Sequence, residues 1–141
     1  MKNRLIGIVL FWLVCSASIT AAQILMIKQS DNSSVYAQRI ELALSDWFFE
    51  HGILALSEQN PIHNVSFELA QYMAKEMNAK ALVLWSIDLE GKFILEMFHV
   101  QGQLLADIDM KVKLQDSQLE SIILNSISPT LKKAIHQLKE Q

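Results

Sequence analysis

Ser86, Asp88 and His99 are the side chains of this sequence whose types first suggest chemistry. A hydroxyl, an imidazole and a carboxylate make a nucleophile, its base and an orienting group when hydrogen bonds link them in that order. Ser86 lacks the flanking glycines of a strand-to-helix elbow, the turn that exposes a catalytic serine. The run "ALVLWSI", Ala81–Ile87, reads instead as a core strand, and Asp88–Lys92 as the turn into its partner. His51, His63, His99 and His136 fall on a helix end, a loop, a strand and the last helix. No two have the HxH or HxxxH spacing that brings ligands onto one face, so no metal is expected. Asp107 and Asp109 share a strand face, as a catalytic carboxylate pair would, but Lys111 and Lys113 continue that face and make it a solvated one. After the N-terminal segment the glycines are Gly52, Gly91 and Gly102, too scattered for a phosphate cradle. No catalytic residue and no cofactor are expected.

The chain has 141 residues, enough for one domain, with 12 Lys+Arg against 15 Asp+Glu and a net charge of −3. A phosphate-binding face needs an excess of cations, so nucleic acid is not an expected partner. A hydrophobic content of 51% supplies one proper core. The first residues have the layout of a secretory signal peptide: Lys2 and Arg4, the apolar run Leu5–Val14, then small residues up to Ala22. The apolar run spans about 15 Å as a helix, half of a hydrocarbon core of about 30 Å. Residues 1–22 are therefore expected to be a cleaved signal, and residues 23–141 a single periplasmic domain. Cys15 follows the apolar run as a lipidated cysteine would, although Val14 stands where a small residue is usual. A lipidated Cys15 or an uncleaved signal is the route by which the chain would meet a membrane.

The elements that must position any site follow from hydrophobic period. "QILMIK", Gln23–Lys28, reads as a buried strand. Tyr36, Ile40, Ala43, Leu44, Trp47 and Phe48 lie on one face of a helix over Val35–His51, with Gly52 as a left-handed cap. "ILAL", Ile53–Leu56, is a second strand. Asn64 is placed to cap a helix over Val65–Met77, with Leu69, Tyr72, Met73 and Met77 as its stripe and Asn78 at its end. Gly91 and Gly102 punctuate three strand-like runs. In the second, Phe93, Leu95 and Met97 share one face and Ile94, Phe98 and Val100 the other, which predicts a central strand covered on both sides. In the third, Ala106, Ile108, Met110, Val112 and Leu114 alternate with Asp107, Asp109, Lys111 and Lys113. Ile123, Ile127, Leu131, Ile135 and Leu138 then hold one phase across Pro129, which predicts one kinked helix or two collinear ones. The fold class is α/β: β-α-β-α-β-β-β-α, a mixed sheet with helices packed on it.

The helix ending "DWFFEHG", the strand "AKALVLWSI", the glycine turn, "FILEMFHVQGQLLADIDM" and the closing helix together resemble the N-terminal domain of TolB. They are also similar to the periplasmic modules LpoB, CsgG and FlgT. Trp85 stands where that group often has glycine. The resemblance implies a non-enzymatic periplasmic interaction module that binds a protein of a bacterial envelope machinery, of secretion, flagellar, Tol or peptidoglycan-synthesis type. It brings no catalytic residue with it. Trp85 is a candidate contact if its ring is exposed. Asp107, Asp109, Lys111 and Lys113 are candidates for strand addition if their strand lies at a sheet edge. The rival readings are a small periplasmic enzyme or small-molecule-binding protein, and a lipoprotein or membrane-retained accessory subunit. The sequence carries no signal for oligomeric state.

Overall fold

The computed structural model describes residues 21–29, 35–57 and 65–141. The expected signal peptide, with Cys15, lies outside these residues apart from Ala21 and Ala22, as do Asn64 and His63. The element order is β1 (Ala22–Lys28), α1 (Val35–Glu50), β2 (Ile53–Ser57), α2 (Phe67–Glu76), β3 (Ala81–Ile87), β4 (Lys92–His99), β5 (Leu104–Lys111) and α3 (Leu119–Glu140). The strands form one five-stranded sheet in the order β2-β1-β3-β4-β5. β1 pairs in parallel with β2 and with β3, while β3–β4 and β4–β5 are antiparallel. This is the mixed α/β architecture that the hydrophobic periods predict.

The chain moves outward from β1 through α1 to β2, then back across β1 through α2 to β3. Keeping one crossover hand while reversing direction puts the two helices on opposite faces. α1 and α3 cover one face, where Ile40, Leu44 and Phe48 meet Ile24, Met26, Val83, Trp85, Phe93, Leu95 and the α3 stripe from Leu119 to Leu138. α2 covers the other face, where Ala70 and Ala74 pack with Leu25, Ile27, Leu82 and Leu84. Arg39 on α1 and Glu120 on α3 are bridged by a two-pronged ion pair, one prong being Nη2 to Oε2 at 2.7 Å. Hydrogen bonds from that guanidinium hold the Glu120 carboxyl below its ordinary pKa.

Three local expectations change. The stripe of α2 is Ala70 and Ala74, with Phe67 and Met73 at its flanks, while Leu69, Tyr72 and Met77 are exposed. Small side chains let this helix lie close against the strands, and the larger apolar row is turned to solvent. Its N-cap is Ser66, whose hydroxyl accepts from the Leu69 N–H at 3.2 Å. β4 is internal, but α2 covers only its far end: Phe67 meets Phe98 edge-on at 4.8 Å, while Ile94 and Glu96 stay half-buried. α3 is one helix with Pro129 inside it, and Gly52 (φ 77°) and Asn78 (φ 56°) adopt the left-handed caps.

Candidate interaction edge

Register separates the residues of the triad reading. His99 lies opposite Ala81, and Ser86 lies opposite Ile94, at the other end of the β3–β4 pair. Five strand steps separate Ala81 from Ser86, on the order of 16 Å. Asp88 is the turn's keystone: its Oδ1 accepts from the backbone N–H of Glu90 at 2.9 Å and of Lys92 at 2.8 Å. His99 Nδ1 accepts from the N–H of Gln101 at 3.1 Å in the next turn. The three side chains therefore serve separate pieces of the hairpin. His51 stacks on Trp47 at 3.9 Å with its Nδ1 2.7 Å from the Trp47 carbonyl, and His136 pairs with Glu140 at 3.0 Å. Among the described residues, no group of three or more His, Cys, Asp or Glu is placed to hold a metal ion.

Trp85 corrects an expectation. Its ring is 1% exposed, on the face covered by α1 and α3, and sits 6.4 Å from Phe93. A partner cannot reach it, so it is packing. Its Nε1–H is buried without a hydrogen-bond partner. Trp85 and Ile87, which flank Ser86, are buried, and a cavity of about 170 Å³ lies against Ala21, Ala22, Gln23, Asn78 and Lys80.

The charged strand is different. β5 is an edge strand, paired with β4 on one side only. The Val112 N–H donates to the Gly91 carbonyl at 2.8 Å, and Met110, Ile108 and Ala106 follow it in register opposite Phe93, Leu95 and Met97. In an antiparallel ladder the intervening residues point their backbone groups the other way. Asp107, Asp109 and Lys111 therefore present N–H and C=O groups at the open margin. The side chains of Asp107, Asp109 and Lys111 are exposed on the sheet face that α2 leaves uncovered, whereas Lys113 is exposed beyond the end of β5, its carbonyl accepting from the Asp116 N–H at 3.1 Å in the turn that follows. Asp107, Asp109 and Lys111 share that margin, while Lys113, expected on the same strand face, lies past the strand's end because the chain turns there toward α3.

The register adds a residue that sequence reading left out. Glu96 lies opposite Asp107 on that same face, two like charges side by side. Its signal was a carboxylate alternating with Ile94 and Phe98 on one strand face. Lys92 stands 3.6 Å from Asp109, so Asp109 has a cation beside it. Among the described residues, Lys111 and Lys113 have no ion-pair partner. The arrangement offers outward hydrogen-bonding backbone beside two acids followed by lysine, which suits strand addition by a polypeptide of complementary charge.

No family model matches this chain, and no curated protein matches it. Among solved structures it is similar to TolB from Acinetobacter baumannii, with a TM-score of 0.54 and 15% identity over 82% of this chain. The match takes in 28% of that protein, so the chain spans well under a third of its length. Two structures of prolyl-tRNA synthetase from Cryptosporidium parvum align with TM-scores of 0.44 and 0.43 at 11% and 13% identity. They cover 85% and 86% of this chain and 23% and 25% of theirs. The likeness to TolB is one of fold, over a segment of that protein.

Proposed function

We propose that this chain is a non-enzymatic interaction module of the bacterial cell envelope, exported to the periplasm, which binds a protein partner by strand addition at β5. The observation that carries the proposal is the open β5 margin, where outward backbone groups and the exposed side chains of Asp107, Asp109 and Lys111 coincide, with Lys113 just past the strand's end. The signal-like N-terminus supports the compartment, and the TolB-like fold supports the envelope setting. The finer assignment among secretion, flagellar, Tol and peptidoglycan-synthesis machineries belongs to the identity of the partner.

The test is a cross-linking pull-down from intact cells, run with the wild-type chain and with Asp109→Pro. Asp109 points its N–H away from β4, so proline there removes no internal ladder bond and blocks only the open side. A discrete envelope-protein adduct in the periplasmic fraction, lost in Asp109→Pro, is the expected result. A chain retained in the cytoplasm, or adducts indifferent to the substitution, would overturn the reading.

A further inference from the structure

Charges on an edge strand ordinarily block pairing. The order Asp107, Asp109, Lys111 along β5 does the reverse for one neighbour, a second copy of itself. The outward backbone groups belong to the odd-numbered residues, so an antiparallel pairing of two β5 strands must set odd residues opposite odd residues. With the two-fold axis at Asp109, that residue faces Asp109 of the partner subunit. An axis at Lys111 brings two lysines together. With the axis at Met110, Asp109 lies opposite Lys111 of the partner subunit, and Lys111 opposite Asp109 of the partner subunit. Both pairs are of opposite sign, and of the three axes this one alone sets no like charges of β5 opposite each other.

We infer that the chain forms a two-fold dimer by antiparallel pairing of β5 about Met110, continuing the sheet from one subunit into the next. The inference rests on the reading of β5 as an interaction edge and names a second copy as its occupant in the free chain, displaced when an envelope partner adds its own strand there. Two further features fit that occupant. Ile108 and Met110 are only half-buried at the sheet's margin on the helix-covered side, and the axis sets each Met110 against Met110 of the partner subunit. The pair at the axis is a non-hydrogen-bonded one, the kind whose side chains approach most closely. Asp109 keeps its own Lys92 on the β4 side while receiving a second cation on the open side.

Sedimentation equilibrium on the full chain tests this, with circular dichroism as the check on folding. The wild type dimerises, and its dissociation constant rises with salt. Asp109→Lys or Lys111→Asp alone sets like charges opposite at two symmetry-related positions and weakens the dimer by at least about tenfold. The double reversal Asp109→Lys/Lys111→Asp restores the opposite-sign pairs and the dimer. A chain monomeric at every accessible concentration overturns the inference, as does a dimer unmoved by the single reversals or not recovered by the double one. A monomer that still forms its envelope adduct through β5 sinks the dimer and leaves the proposed function standing. A dimer with no envelope adduct does the opposite.

Discussion

Replacing Gly91 with alanine should unfold the β4–β5 margin, and the structure sets the size of the effect. Gly91 sits at φ 86°, and a Cβ built there lies 1.9 Å from the backbone oxygen of Val112. The left-handed conformation costs an L-residue roughly 1–2 kcal/mol. Relieving the clash moves a backbone carbonyl, not a flexible side-chain tip, and the bond from the Val112 N–H to the Gly91 carbonyl goes with it, for about 1 kcal/mol more. The total is about 2–3 kcal/mol, which at this chain length lowers Tm by roughly 6–12 °C. Gly52 is the internal control: it has φ 77°, but nothing stands within 4 Å of an added Cβ. Gly52→Ala should therefore cost only the conformational part, about 1–2 kcal/mol. Thermal and urea unfolding of the two variants read both numbers. Equal costs would refute the reasoning, because the close approach of Val112 to Gly91 would then not exist.

Trp85→Phe should change stability by less than about 1 kcal/mol in urea titrations, because losing ring volume is offset by removing a buried N–H without a partner. Trp85→Ala should cost about 3–5 kcal/mol at the same position. On α2, Tyr72→Ser should stay within about 0.5 kcal/mol while Ala74→Leu costs about 1–3 kcal/mol, the reverse of what side-chain size suggests. Glu120 has a folded pKa lowered by its hydrogen bonds from Arg39, so the stability it contributes is present above its ordinary value of 4.5 and is lost as pH falls through the lowered one. Acid-unfolding curves should show this loss in the wild type and a shallower acid slope in Glu120→Gln.

Much of the architecture is legible in residue order. Tyr36 to Phe48 keep helical period, Ala106 to Leu114 alternate, and Gly91 and Gly102 mark the turns of a meander, so element order follows from local pattern. The phase of α2 does not follow. It carries two apolar rows, and the choice between them depends on how closely the helix lies on β1 and β3, a tertiary fact that favours Ala70 and Ala74 over Leu69 and Tyr72. The face of Trp85 was equally hidden, because "ALVLWSI" is apolar on both sides and alternation gives no contrast there. The charged residues of β5 could be named from sequence. That they line an edge, beside Glu96 and with their backbone groups outward, depends on strand order and register, which no local pattern specifies.

Amide hydrogen exchange along β5 tests the pairing edge most directly. The amides of Ile108 and Met110 face β4, whereas those of Asp107, Asp109 and Lys111 face outward. With β5 paired, at high protein concentration, the outward amides should exchange as slowly as the inward ones, and dilution should release them alone. Outward amides that exchange freely at every concentration, and equally in the cross-linked envelope adduct, would contradict the claim that this edge is where the chain meets another polypeptide.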